Sequence, residues 1–250
     1  RGCNTIWKNI MLGLGLSLAR PYKISKPEFN VLDLDSLVIY NELNAWTYLG
    51  STASTFVDGW PNHSSLSSDY DLSQSDKSYY PTIINHRLSF NNQSINGQLN
   101  YGAQLDSDTF TLVLSLDLNE NFNLSNEGVI GRGLSDLLKL YRGTSAKRIG
   151  FKLEGTNYDE NNLDVDFPLG EFILTATRDA SGVVVFYFNN VEVGGFNTNP
   201  NEDFRITQIG SGQLHSSVKY DGYINEVYLF NEVLTSENRE NVINFALNKL

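Results

Sequence analysis

Hydrophobic and polar positions in this chain alternate over short runs, and a period of two dominates. Residues 109–116 read T-F-T-L-V-L-S-L, which places Phe110, Leu112, Leu114 and Leu116 on one face of a half-buried strand. Residues 128–133 (GVIGRG), 137–141 (LLKLY) and 148–154 (RIGFKLE) continue the pattern at regular spacing. Residues 170–178 and 183–189 are joined by Asp179-Ala-Ser-Gly182, where glycine supplies a positive φ, so the two predict a hairpin. Asn189-Asn190 then predicts a turn into residues 191–193, because asparagine is among the few residues that tolerate the left-handed region. Residues 204–209 and 223–230 predict two further strands, and residues 29–35 read as the first. One helix closes the chain: Thr235 caps it, Glu237 lies in its first turn, and Val242, Ile243, Ala246, Leu247 and Leu250 recur at helical spacing. Many short strands and a single terminal helix predict an all-β, antiparallel sandwich.

Two stretches break the pattern. Residues 50–81 are rich in Ser, Asp and Gly with no sustained period, which predicts a long binding or contact loop. Residues 8–20 read KNIMLGLGLSLAR, an apolar run between cations that is too short to span a bilayer. It reads as a signal peptide with a cut near Ala19, as the start of a natural chain at Met11, or as an extended arm. The arm is favoured, because an apolar segment ahead of a globular domain needs a surface to lie on. Trp7, Ile10, Met11, Leu12, Leu14, Leu16 and Leu18 would supply its contacts. The expected organisation is an arm and linker over residues 1–27 and one sandwich domain over 28–250.

Composition narrows the function classes. The chain carries 18 Lys+Arg against 29 Asp+Glu, a formal charge of −11, so a nucleic-acid partner is not expected: phosphate affinity comes from Lys and Arg. Only 19% of residues are charged, and about thirty Asn and two dozen Ser take their place, residues suited to turns and strand edges. The single Cys3 allows no internal disulfide, so the domain must stand on its core.

Three stretches carry a family resemblance. The first is Phe56-Val-Asp-Gly-Trp-Pro-Asn-His-Ser, with Tyr80-Pro-Thr-Ile-Ile and Leu88-Ser-Phe-Asn after it; the second is the hairpin over residues 170–193. The third is Tyr220-Asp-Gly-Tyr-Ile-Asn-Glu-Val-Tyr-Leu-Phe-Asn-Glu-Val-Leu-Thr-Ser-Glu-Asn. Together they resemble the LamG-like jelly roll of the concanavalin A-like lectin/glucanase superfamily, in the form found in bacteriophage structural proteins. The departures are Asn91-Asn92 where the family's strand often ends in Asp-Gly, and Asn190 where its hairpin usually has Gly. The resemblance implies a concanavalin A-like jelly-roll sandwich with one C-terminal helix, behind an extended N-terminal arm. Such a fold hosts binders, hydrolases and scaffolds alike, so function rests on a site.

Catalytic chemistry is not expected. The superfamily's glucan hydrolases set their carboxylates on one strand as E-x-D-x-x-E, and this chain has no such string. The nearest pairs, Asp33/Asp35, Asp106/Asp108, Asp117 with Glu120, and Asp164/Asp166, read as solvated strand edges. Oxygen-rich loops at Asp69/Asp71/Asp76 and at residues 159–162 match no calcium spacing, and His63, His86 and His215 are scattered, so neither a metal nor any other cofactor is expected. Residues 128–133 lack the strand-then-helix context of a phosphate loop and read as a turn between strands. Trp60, His63, Tyr70, Tyr79 and Tyr80 lie on or beside the long loop among Asp and Ser. Aromatic faces stack on sugars while polar groups bond the hydroxyls, so these five are the candidate glycan contacts; the competing reading is that they anchor the loop. The leading expectation is a non-enzymatic structural or decoration protein at a virion surface, joined to other assembly subunits by its arm and open to host polysaccharide. The alternative is a lectin-like module of a secreted or cell-surface protein, and a polysaccharide hydrolase or lyase ranks below both.

Overall fold

The computed structural model describes residues 29–42, 45, 47–48, 56–65, 68–75, 80–84, 87–92, 95–96, 98–118, 127–133, 135–142, 147–158, 165, 168, 170–210, 220 and 222–249. The arm and linker, residues 1–27, lie outside these, as do Tyr79, His86, Glu120, Asp164, Asp166 and His215.

Among the described residues, two antiparallel sheets form a β-sandwich. The first sheet has eight strands: Val191–Asn197, Val183–Phe188, Gly170–Arg178, Phe110–Leu118, Tyr223–Phe230, Arg87–Ser89 and Thr82–Ile84 in spatial order, with Leu37–Asn41 also paired to Tyr223–Phe230. The second has nine: Thr156–Asn157, Lys147–Leu153, Asp136–Arg142, Glu127–Arg132, Phe204–Ile209, Leu99–Ser107, Leu72–Ser73, Val57–Trp60 and Thr47–Tyr48. A small hairpin pairs Asn91–Asn92 with Ile95–Asn96.

Strand Phe110–Leu118 explains the layering. All its residues are buried, because its two faces serve two different cores. Phe110, Leu112, Leu114, Leu116 and Leu118 point between the sheets, where Phe110, Phe151 and Phe204 pack with ring centroids 4.8–6.2 Å apart. Val113 points the other way, into a second core formed with Ile173, Tyr228 and Phe230 under the C-terminal helix. That helix, Ser236–Leu247, buries Val242, Ile243 and Ala246, and Thr235 Oγ1 accepts from Asn238 N at 3.2 Å. Leu247 is exposed, so the buried stripe is shorter than the apolar spacing suggested.

The hairpins form as the turn residues dictate. Gly182 has φ +83°, and Asp179 Oδ1 accepts from the backbone N–H of Ser181 and of Val183, each at 2.9 Å. Asn189 and Asn190 both occupy the left-handed region, with φ +46° and +68°.

Three expectations are corrected. Residues 29–35 are not a strand: Asn30 Oδ1 accepts from Leu32 N at 3.2 Å and starts a 3-10 turn over Val31–Asp33, ahead of strand Leu37–Asn41. The cap competes successfully with the apparent alternation. Residues 50–81 are not all loop, since strands Val57–Trp60 and Leu72–Ser73 extend the nine-stranded sheet. Strands of two to four residues have too few positions to show a period. For residues 128–133 the strand reading holds and the turn reading is corrected: they lie mostly within strand Glu127–Arg132, and the turn begins at Gly133 with φ +56°.

Candidate functional site

Among the described residues, the expected aromatic contacts do not form an exposed platform. Trp60 is fully buried in the core between the sheets, and its indole Nε1 donates to the Glu42 carbonyl at 2.7 Å. Neighbouring strands pin its backbone as well: Asn41 Nδ2 donates to the carbonyls of Trp60 and Pro61 at 3.2 and 3.0 Å, and Tyr101 OH donates to Asn41 Oδ1. Tyr80 is buried as well, which takes both rings out of reach of a ligand. Large aromatic rings gain more from core packing than from exposure, provided the polar atom finds a partner. Tyr70 is half-buried against the same core, and Tyr79 lies outside the described residues. Only His63 of the described four is exposed; its ring meets Tyr40 edge-on at 6.0 Å, and its backbone N–H donates to the Tyr40 carbonyl at 2.8 Å. The loop-anchoring reading therefore describes Trp60, Tyr70 and Tyr80.

A different polar constellation lies on the outer face of the nine-stranded sheet. The register places Leu137, Gly131, Gln208, Asn100, Ser73, Gly59 and Thr47 opposite one another in a row across successive strands. Their neighbours Ile209, Leu99 and Leu72 fill the core, so strand alternation turns Gln208, Asn100 and Ser73 outward. Gln98, two residues before Asn100, shares their face. A Cβ at Gly131 would come within 2.1 Å of the Asp136 carbonyl, so no side chain can stand beside Gln208 there.

The amides bond one another in a fixed sense. Gln98 Nε2 donates to Asn100 Oδ1 and, at 3.1 Å, to Gln208 Oε1. Gln74 Nε2 donates to the Gln98 carbonyl at 3.2 Å. Gln98 is fully buried, and its Oε1 has no hydrogen-bond partner among the described residues. Asn100 is half-buried and Ser73 exposed, so the row opens toward solvent on that side. The one-turn helix Ser68–Tyr70 borders it: a Cβ on Gly102 would come 2.8 Å from the Asp69 carbonyl, and Gly102 N donates to Asp71 O. The loop singled out in the sequence thus flanks the row with backbone rather than with rings. The signal that could have revealed the row is the alternation Gln98-Leu-Asn100-Tyr, polar outward and apolar inward.

A second polar cluster secures the end of the helix. Lys249 Nζ lies 2.6 Å from Glu42 Oε1 and 3.6 Å from Glu226 Oε1, and it donates to Tyr40 OH. Tyr40 stacks on Tyr228 with centroids 4.8 Å apart, and Tyr228 OH donates to the buried Glu226. Burial pushes the Tyr40 hydroxyl up to about 12, against the pull of Lys249. Burial alone would raise the Glu42 carboxyl; the Lys249 hydrogen bond and charge, aided by Tyr40 and His63, hold it below the usual carboxylate range. The ammonium joins strand Leu37–Asn41, strand Tyr223–Phe230 and the helix end, which is an anchoring arrangement.

Among the described residues, no group of three or more His, Cys, Asp or Glu is placed to hold a metal ion, and no helix is long and apolar enough to cross a membrane. No family model matches the chain, and no curated protein does. Solved structures do. Domain 4 of AbnA, a GH43 extracellular arabinanase from Geobacillus stearothermophilus, in complex with arabinotriose, matches at TM-score 0.51 and 15% identity, over 83% of this chain and 98% of that one. Trypanosoma rangeli sialidase in complex with 2,3-difluorosialic acid matches at TM-score 0.56 and 13% identity, over 85% of this chain and 33% of the sialidase. A botulinum neurotoxin type C structure, whose cell entry depends upon interaction with two ganglioside molecules, matches at TM-score 0.50 and 13% identity, over 84% of this chain and 51% of that one. The chain thus spans a third to a half of the sialidase and neurotoxin chains. At these identities the likeness is one of fold: a β-sandwich of concanavalin-like jelly-roll form.

Proposed function

We propose that this protein is a non-catalytic carbohydrate-binding module whose sugar contact is the solvent-facing edge of the polar row, at Asn100 and Ser73 on the nine-stranded sheet. The observation that carries the reading is that edge: half-buried Asn100, beside exposed Ser73, is held from behind by Gln98, whose Nε2 donates to Asn100 Oδ1 and to Gln208 Oε1. Few convergent polar groups on a rigid scaffold are what orient a small ligand. The arabinanase domain, nearly all of which this fold covers, is itself known in complex with arabinotriose, which supports the same class of ligand. The test is titration of the full chain against a panel of polysaccharides by calorimetry and affinity electrophoresis. Saturable binding to at least one, weakened by Asn100→Ala, is expected; no binding across the panel overturns the proposal.

The setting of the module is proposed from residues 1–27 alone. Their run of Trp7, Ile10, Met11, Leu12, Leu14, Leu16 and Leu18 suits an arm that anchors the module to other subunits of an assembly such as a virion. Deleting residues 1–27 should abolish incorporation while leaving polysaccharide binding intact. Full incorporation without them overturns the anchoring role.

A further inference from the structure

We infer that residues 12–18 of one copy add as a strand to the free edge of the eight-stranded sheet in a second copy, an inference that rests on the anchoring reading of residues 1–27. Among the described residues, Val191–Asn197 closes one end of that sheet and pairs only with Val183–Phe188. A closing strand leaves a row of backbone N–H and C=O groups without a neighbouring strand. The register opposes Val191 to Phe188 and Phe196 to Val184, two members of the inter-sheet core, so Val191 and Phe196 share the inward face. That face is apolar and only partly covered: Val191 is 67% exposed, and Val193 and Phe196 are half-buried against the core. Glu192, Gly195 and Asn197 fall on the outward face, opposite Tyr187, Val185 and Val183. The edge's own protections are one charge, Glu192, and a bulge between Glu192 and Gly194.

The segment that fits this edge reads Leu12-Gly-Leu-Gly-Leu-Ser-Leu18. Leucine recurs at every second position with glycine or serine between, the period of a strand with one apolar face and one small face. A helix would divide those leucines between two sides, and the two glycines oppose one. The seven residues match the seven of the edge. Docked with its leucines inward, the segment covers Val191, Val193 and Phe196 and sets its glycines and serine beside Glu192, Gly195 and Asn197. Lys8 and Arg20 flank it, and Glu192 is the only charge on the edge. The donor is a second copy, because the edge stands exposed within one chain. The domain also begins far from that edge. Phe29 packs on Phe245, whose ring meets Tyr40 in strand Leu37–Asn41, five strands or about 24 Å away. The helix lies across the strands between, with Arg239 over Tyr187 near one end and Phe245 at the other. Strand addition draws affinity from main-chain hydrogen bonds and specificity from alternate side chains. Each copy offers one segment and one edge, so the contact is head-to-tail.

Two full-length variants test this, in reductant so that Cys3 forms no bridge. One carries Leu14→Asp and Leu16→Asp in the segment. The other carries Val191→Lys and Asn197→Lys on the edge, where both residues are exposed and lysine blocks strand pairing. By sedimentation velocity the parent should form a concentration-dependent series of oligomers. Each variant alone should associate more weakly by about tenfold or more and run as a monomer. Mixed in equal amounts, the two should give a heterodimer and nothing larger, since one keeps the edge and the other the segment. Thermal melting confirms that each variant folds; if the edge variant does not, Glu192→Lys replaces it with the same expectation. A parent that stays monomeric overturns the inference, as does a mixture that yields no heterodimer. A segment variant that still associates also overturns it, with edge then pairing to edge. If deletion of residues 1–27 abolishes incorporation all the same, the anchoring reading stands with a different partner. Full incorporation after that deletion fails the anchoring reading itself.

Discussion

Arg178 shows how one buried cation can tie distant segments together through hydroxyl and carbonyl acceptors. Its Nε donates to Thr198 Oγ1 at 3.0 Å and its Nη2 to the Asn199 carbonyl at 2.8 Å, while Nη1 donates to the Asp108 carbonyl. The residue is fully buried. Burial pulls the guanidinium below its ordinary value, and the nearby charges of Asp108, Asp203 and Glu202 oppose that pull. A planar fork with fixed donors reaches three acceptors that an ammonium cannot meet together. Arg178→Met should therefore cost on the order of 2 kcal/mol, because it strands buried acceptors, and Arg178→Lys should recover little of it. Urea unfolding of the three proteins checks this; a lysine variant as stable as the parent would show that charge alone matters. Arg178 sits within the hairpin stretch that the sequence made legible, yet its role was not, since its partners lie 20, 21 and 70 residues away.

At the scale of elements, the C-terminal helix is held at both ends by different chemistry. Thr235 caps its start, and Lys249 just beyond its last turn is clasped by Glu42 and Tyr40. The carboxyl of Glu42 titrates below its usual range in the folded chain. A depressed acid stabilises the fold above its unfolded value and loses that contribution as pH falls through the lower folded value. Replacing it as Glu42→Gln should thus lower the melting temperature at pH 7, and the gap from the parent should close as the pH drops below about 4. Melting curves between pH 3 and pH 8 read this out; a gap that stays constant with pH would exclude the ion pair as its source. The same scale shows what the sequence disclosed. Strands Gly170–Arg178, Val183–Phe188, Phe204–Ile209 and Tyr223–Phe230 announced themselves through long alternation and turn residues. The amide row was legible only in part: the alternation Gln98-Leu-Asn100-Tyr marks one face, but that Gln208 joins it depends on the register of Phe204–Ile209 with Leu99–Ser107, which no local pattern encodes. The aromatic candidates misled for a related reason: Trp60 and Tyr80 sit among polar residues in sequence but face the core in space.

Across the whole molecule, two cores share their walls. The inter-sheet core holds Leu112, Leu114 and Leu116, and the core under the helix holds Val113, Ile173, Tyr228 and Phe230. Strands Phe110–Leu118 and Tyr223–Phe230 contribute to both, so neither core can come apart while the other keeps its full wall. A sandwich and a helix joined this way should unfold together, even though the helix packs on the outside of its sheet. Leu114→Ala, facing inward, and Ile173→Ala, facing the helix, should each cost about 2–5 kcal/mol. Both should shift one common transition whether followed by far-ultraviolet dichroism or by the fluorescence of buried Trp60 in a Trp7→Phe, Trp46→Phe background. If Ile173→Ala instead released the helix in an earlier step while Trp60 fluorescence held, the two cores would be energetically separate. Coupling also bears on the site. The amide row takes its spacing from strands whose inner faces, Leu99, Ile206 and Ile209, belong to the inter-sheet core. Leu114→Ala should therefore leave polysaccharide affinity unchanged at temperatures where the protein remains folded, and lose it at the same temperature as the dichroism. Affinity that fell well before the fold did would mean that the row is held by its own loops instead of by the sandwich.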